Sequence, residues 1–376
     1  MKQYFLDSAS TTRPYDEVID TMADVMRNHY GNPSSTHGMG VDAKRIIERV
    51  RDQIAEDINC EPSEIIFTSG ACEANTLAYS ARYHEPPGFR YAISSDIEHK
   101  SLELINKEYA NFVKNDSSGN ILLNELEMNL LNKRYPVGFI TIQAANSEIG
   151  TIQNVKSIAD IVHSYDAIFH TDATQLYPER RINVKELGID LMSVSAQKFH
   201  GPKGVGFLYC KNVIELEPLI SGSQEHGIRG GTYNTEGIAG MGKALELTRH
   251  LQDYRNVCIK FNRDSLYKEI MEIHGVRLNG PDIDANRLYN NLSLRIDGIK
   301  ANDLVTMASM HGIYISAGSA CSSGDAIPSS TLKAIGLTDE EALSTIRITV
   351  DETLNQHDIM YIAKVLRGLI DQLRTS

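Results

Sequence analysis

Residues 167–209 read AIFHTDATQLYPERRINVKELGIDLMSVSAQKFHGPKGVGFLY. Three short apolar runs stand in this stretch, at 167–170, 191–194 and 205–209, each rich in β-branched or aromatic residues. Upstream the same kind of run recurs at 65–68, 91–93 and 137–142. Helical patterns lie between several of them. Residues 41–59 put Ile47, Val50, Ile54 and Ile58 at helical spacing, and 157–165 reads as another helix. Short strands alternating with helices define an α/β class, built on a mostly parallel sheet.

Downstream the rhythm changes. A long helical stretch over 235–274 carries Leu245, Leu247, Leu251, Ile259 and Leu266. Strand-like runs at 292–296, 313–315 and 345–350 follow, with helices expected at 302–310 and 356–373. This set suits a smaller α+β domain. The chain of 376 residues is long enough for two domains. The expected division is an N-terminal segment 1–14 packing on the small domain, a large domain 15–255 and a small C-terminal domain 256–376.

Composition narrows the function classes. Hydrophobic residues make up 41% and charged residues 23%, which fits a globular and not a disordered chain. Asp+Glu 49 against Lys+Arg 37 gives a net charge of −12, a poor basis for direct nucleic-acid binding. No apolar run approaches a membrane span. The start, MKQYFLDSAS, has no apolar signal core, so a cytoplasmic setting is expected. Five cysteines form neither a disulfide framework nor a zinc-spaced cluster.

Ligands of open α/β sheets bind beyond the carboxyl ends of strands. After 65–68 comes Ser69-Gly70-Ala71-Cys72-Glu73, a small-residue turn that can offer backbone N–H groups to an anion. It is not a P-loop, and glycine in such turns more often serves geometry alone. Asp172 follows the run at 167–170; the commoner use of such an Asp is a helix cap. Lys198 follows the run at 191–194, where a desolvated amine suits Schiff-base chemistry. A Schiff-base lysine and an acid for the pyridinium nitrogen are the parts a pyridoxal 5'-phosphate site needs. Cys321 sits among small and polar residues in Ser316-Ala317-Gly318-Ser319-Ala320-Cys321-Ser322-Ser323-Gly324. Cys210 and Cys258 read as packing thiols, whereas Cys321 has no core to join and reads as reactive.

Together these segments resemble the NifS-like cysteine desulfurases, a class-V aminotransferase branch of the fold-type-I pyridoxal-phosphate enzymes. The resemblance runs nearly end to end: LDSASTT at 6–12, YGNPSS at 30–35, FTSGA at 67–71, EHK at 98–100, EIG at 148–150, HTDATQ at 170–175, Lys198 with GPKG at 201–204, RGGT at 229–232, GSAC at 318–321 and STIR at 344–347. Each is weak alone; their shared order makes the match specific.

The resemblance implies roles residue by residue. Lys198 is the Schiff-base lysine and the base that takes the substrate α-proton. Asp172 is the pyridinium partner, Gln175 the donor to the ring 3-oxygen, and His99 the imidazole stacked on the ring, with a proton-transfer role. Ser195 and the backbone of Ala71 and Cys72 hold phosphate. Thr232 reaches the phosphate across a homodimer interface. Arg347 holds the substrate carboxylate, with Asn32 beside it. Cys321 is the nucleophile that accepts sulfur as a persulfide, on a loop of the longer, mobile type. The expected reaction converts L-cysteine to L-alanine and hands sulfur to an acceptor protein, serving iron–sulfur assembly, tRNA thiolation or thiamin synthesis.

Three positions depart from the family pattern. Cys72 stands where Thr or Ser is usual, Ser147 where Asn is usual, and Gln197 where His is usual. A thiol is a weak donor and a Gln amide carries no charge, so weaker cofactor retention is expected. Two other readings stay open: a selenocysteine lyase or related β-eliminase, and a noncatalytic scaffold or sulfur-relay protein that kept the fold. A general aminotransferase is disfavoured, since it needs no cysteine on such a loop.

Overall fold

The computed structural model describes residues 2–83, 91–102, 110–131, 137–212, 214–318, 320–322 and 325–375. In chain order come β1 (Tyr4–Phe5), α1 (Asp16–Asn28), α2 (Gly38–Ile58), β2 (Ile65–Thr68), α3 (Ala71–Tyr79), β3 (Tyr91–Ser95) and β4 (Ala110–Val113). Then follow α4 (Leu123–Leu130), β5 (Val137–Thr141), α5 (Val155–His163), β6 (Ile168–Asp172), α6 (Val184–Leu187), β7 (Leu191–Ser195) and β8 (Gly206–Cys210). The remainder holds α7 (Thr235–His250), α8 (Gln252–Met271), β9 (Val276–Leu278), β10 (Asn291–Ile296), α9 (Ala301–Met310), β11 (Ile313–Tyr314) and β12 (Ser316–Ala317). Last come β13 (Ala320–Ser322), β14 (Asp325–Ile327), α10 (Ser330–Ala334), α11 (Asp339–Leu343), β15 (Thr345–Thr349) and α12 (Gln356–Thr375).

Among the described residues the main sheet has seven strands in the order β2-β8-β7-β6-β5-β3-β4. It is parallel except at β8, which runs antiparallel to β2 and β7. The physical reason is the short connection from Ser195 to Gly206, which leaves no room for the helical crossover a parallel pair needs. Strands β5, β7 and β8 are buried at every position, as sheets covered on both faces require. On α2, Ala43, Ile47, Val50, Ile54 and Ile58 form the buried stripe. That helix stops at Asn59, which takes the left-handed conformation with φ 60°.

A second hydrophobic core lies around the four-stranded antiparallel sheet β12-β15-β10-β9. Helices α8, α9 and α12 cover it with Ile259, Leu266, Leu304, Ile362 and Leu366. Tyr4 and Leu6 belong to this core, and β1 pairs in parallel with β11. The long stretch expected over 235–274 is two helices, broken at Leu251. α7 packs on α1 and α2, while α8 packs on α12.

Strand register lines up the functional edge. Asp172 pairs with Ser193, and Ser195 pairs with Gly206, which in turn pairs with Thr68. The carboxyl ends of β2, β6 and β7 therefore open on one side, and the residues just beyond them converge.

Candidate active site

A cavity of about 440 Å³ sits on that edge. It brings together the expected Ala71, Cys72, His99, Ser147, Asp172, Gln175, Ser195, Gln197, Lys198 and Arg347. They come from the ends of separate strands and from the far carboxyl-terminal sheet, so only the tertiary fold unites them.

Lys198 follows β7 on a short 3₁₀ turn. Its Nζ donates to the carbonyls of Ala9 and Ser10, each at 2.6 Å. Burial and then the nearby Arg347 charge push its amine down to about 8. Asp172 is buried at the end of β6. Its Oδ2 accepts from Asn75 Nδ2 at 2.8 Å and its Oδ1 from the Thr174 N–H at 3.0 Å. Each oxygen keeps a lone pair for a further donor. Gln175 Nε2 donates to the Ala9 carbonyl at 3.0 Å. Arg347, on β15, donates from Nη2 to Asp7 Oδ1 at 2.7 Å and Ser10 Oγ at 2.9 Å. Its buried Nε has no partner. Segment Asp7–Ser10 thus touches both the lysine and the arginine.

The other end of the cavity is built for an anion. The first N–H groups of α3 have no helical acceptor. Gly70 precedes them with φ 145°, a backbone state that L side chains rarely adopt. A Cβ on Gly206 would stand 2.8 Å from the Gly70 Cα, so glycine there lets β8 approach the turn. Ser195 ends β7 beside it, and a Cβ on Gly70 would lie 3.5 Å from the Ser195 Oγ. An amine of lowered basicity, a buried carboxylate with free lone pairs and an N-terminal anion cradle share one cavity. That set fits pyridoxal 5'-phosphate.

A second groove of about 450 Å³ shares His99, Gln143, Ser147 and Arg347 with the first and runs on to Glu148, Gly318 and Ser329. Glu148 is a buried carboxyl raised to about 7, mainly by burial, although Ser329 Oγ donates to it at 2.6 Å. Nearby Glu98 is buried and raised to about 8, again by burial first. Cys321 belongs by its backbone to β13, paired with Ala326. Its side chain lies outside the described residues.

Two expected residues are not in the cavity of this chain. Thr232 is exposed, and Asn32 is exposed with its Oδ1 accepting from the Ser34 N–H at 3.0 Å. Asn32, on the turn between α1 and α2, does not line this cavity within the single chain. Near Thr232 the chain is anchored by Arg51, whose guanidinium donates twice to buried Glu225 at 2.9 Å, and by Arg229 on Glu73 at 2.8 Å.

Several contributors escaped the sequence reading: Asn75, Ser101, Gln143, and the Ala9 and Ser10 carbonyls. Asn75 carried a weak signal, as a poor helix former on the face of α3 shared with buried Ala78 and Tyr79.

The chain belongs to the class-V aminotransferase family, whose profile matches residues 4–361. A cysteine desulfurase IscS from Dictyoglomus turgidum is 37% identical over 384 residues, covering 100% of this chain and 96% of the relative. One from Archaeoglobus fulgidus, IscS 1, is 36% identical, covering 99% and 98%. Within the family the chain therefore stands among the cysteine desulfurases, enzymes that as a class use pyridoxal 5'-phosphate. Solved structures agree. A NifS-like protein superposes with a TM-score of 0.90 at 31% identity, covering 99% of this chain and 100% of the other. A structure titled SspA in complex with cysteine gives 0.79 at 30%, covering 93% and 99%. Among the described residues no helix is long and apolar enough to cross a membrane.

Proposed function

We propose that this chain converts L-cysteine to L-alanine with pyridoxal 5'-phosphate held in the cavity between Ala71 and Lys198, and that Cys321 keeps the sulfur as a persulfide for an acceptor protein. The observation that carries the reading is the placement of Lys198, Asp172 and Arg347 around one cavity, in a chain whose full-length relatives are cysteine desulfurases. When bound, the cofactor supplies an electron sink for the substrate α-carbon.

The protein's own residues do the rest. Ala71, Cys72, Ser195 and Gln197 would hold the phosphate, Asp172 a proton on the ring nitrogen, Gln175 and Ser147 the ring oxygen, and His99 would pack against the ring. Arg347 fixes the substrate carboxylate through a planar fork. Lys198 Nζ would take the proton from the substrate α-carbon; a lowered basicity leaves a useful share of free amine near neutrality. The Cys321 thiolate attacks the substrate sulfur; the carbon–sulfur bond breaks with its electron pair left on the carbon skeleton, and the three-carbon remainder leaves as alanine after a proton is added at the β-carbon and one returned to the α-carbon.

Exposed Thr232 and Asn32 suit a homodimer in which each serves the partner's cavity. The two cores read as two domains; residues 2–8 pack on the smaller one, and residues 9–13 cross to Gln175, Lys198 and His200 of the larger. The boundary belongs at Leu251 and not at 255, because residue 255 lies inside α8, whose Ile259 and Leu266 join the second core. The acceptor is an iron–sulfur scaffold or a tRNA-thiolation protein, in the cytoplasm.

The test is incubation with L-cysteine, with alanine measured and modified cysteines mapped by mass. Equal alanine and a persulfide on Cys321 are expected, both lost in Cys321→Ala. Sulfur release at full rate from Cys321→Ala would favour the β-eliminase reading. No alanine from cofactor-loaded protein would favour the scaffold.

A further inference from the structure

Asn75 is wholly buried in α3 and lies under the cavity. Its Nδ2 donates to Asp172 Oδ2 at 2.8 Å and to Ser101 Oγ at 2.9 Å. Its own Oδ1 is buried without a donor. A carboxylate that is ionised can only accept, so Asp172 fixes which end of the Asn75 amide faces it. The opposite orientation would set two acceptor oxygens against each other. The orphaned Oδ1 is the cost of an arrangement in which both amide hydrogens are given away.

The consequence passes to Ser101. Its Oγ receives a hydrogen from Asn75, so its single hydroxyl hydrogen is free for another acceptor. His99 Nδ1 stands 2.8 Å away. The Ser101 backbone N–H also approaches the same nitrogen, at 3.2 Å. Two donors therefore converge on Nδ1. A neutral imidazole has one donor and one acceptor nitrogen, and with Nδ1 accepting, Nε2 carries the hydrogen.

We propose that Asn75 and Ser101 are positioning residues which hold the neutral ring of His99 in its Nε2–H tautomer and tie it to Asp172. The inference rests on the desulfurase reading for its catalytic consequence. His99 lines both the inner cavity and the outer groove. In this tautomer it offers them a hydrogen-bond donor and no free lone pair. It can donate a hydrogen from Nε2 but, with Nδ1 engaged, is not the base for a substrate proton.

The test reads the imidazole nitrogens directly. Protein labelled with ¹⁵N-histidine is measured without cofactor and loaded with pyridoxal 5'-phosphate, with His99 assigned through His99→Gln. A protonated Nε2 and a hydrogen-bonded, unprotonated Nδ1 are expected. Ser101→Ala leaves only the backbone N–H on Nδ1, so the Nδ1 resonance should move toward that of a weakly bonded nitrogen and kcat should fall about fivefold, the worth of one neutral hydrogen bond. KM for cysteine and the cofactor absorbance should stay within about twofold, because no group that touches either is lost. Ser101→Thr, which restores the hydroxyl, should recover both signals. A hydrogen on Nδ1 in the unmodified protein overturns the proposal. So does a Ser101→Ala protein with unchanged nitrogen shifts and kcat. Absence of alanine formation counts against the desulfurase reading alone, since the nitrogen shifts still decide the tautomer.

Discussion

The two ends of the cavity are built on different principles. At the inner end, charged side chains meet and each is held by a specific atom of this chain. Lys198 is held by the Ala9 and Ser10 carbonyls, Asp172 by Asn75 and Thr174, and Arg347 by Asp7 and Ser10. At the anion end, the recognition surface is main chain: the start of α3 after Gly70, beside Ser195. The departures from the family pattern at Cys72 and Gln197 fall at the anion end, and Ser147 lies where the ring oxygen is expected. None falls on Lys198, Asp172 or Arg347. In this chain the departures leave the backbone cradle and the three charged side chains in place.

That contrast ranks the expected effects. Lys198→Ala removes both the cofactor's covalent anchor and the base at the α-carbon. A positioned base alone contributes about 10²–10⁴-fold. Alanine formation in stopped assays should therefore fall by about 10³-fold or more. A smaller loss would show that the inner end is not where the chemistry is concentrated.

The amine of Lys198 also gives the contrast a pH signature. Burial and the Arg347 charge bring it to about 8, and only the free amine attacks an aldehyde. Below that value the protonated share grows, so uptake of pyridoxal 5'-phosphate by cofactor-free protein should slow about tenfold per pH unit. Above it the rate should level off, as followed by absorbance. A rise continuing toward 10.5 would mean that the lysine is not desolvated.

Arg347→Lys keeps a positive charge but loses the planar fork. One charge-assisted hydrogen bond is worth about 1.5–3 kcal/mol, so kcat/KM for cysteine should drop roughly ten- to hundredfold. Retention of cofactor should be nearly unaffected, which separates this end of the cavity from the other.

How much of this was legible beforehand varies with the kind of signal. Strands β2, β5, β6, β7 and β8 announced themselves as compact apolar runs. β4 did not: Ala110-Asn111-Phe112-Val113 has neither alternation nor a continuous apolar run. The break at Leu251 carries no glycine or proline, so periodicity ran straight through it. Lys198, Asp172 and Arg347 were readable because short motifs surround them. The supports of those residues were not. The Ala9 and Ser10 carbonyls are backbone atoms, invisible in residue identity, and Asn75 meets Asp172 only after α3 is packed beneath β6. Asn32 and Thr232 matched motifs yet stand outside the cavity of one chain, since a motif carries no record of where the fold places its residues.

The smallest effect tests the anion end most directly. Cys72 is exposed on the cavity wall at the second position of α3. Its backbone N–H remains whatever its side chain, so Cys72→Thr changes only a weak thiol donor for a hydroxyl. One neutral hydrogen bond is worth about 0.5–1.5 kcal/mol, which predicts cofactor held roughly two- to tenfold more tightly on dialysis. The thiol itself reports occupancy: iodoacetamide should label Cys72 in cofactor-free protein and be blocked once pyridoxal 5'-phosphate is bound. Protection without any gain in retention from Cys72→Thr would assign the phosphate contact entirely to the main chain. A gain beyond tenfold would show that the side chain matters as much at this end as the charges do at the other, and the contrast between the two ends would fail.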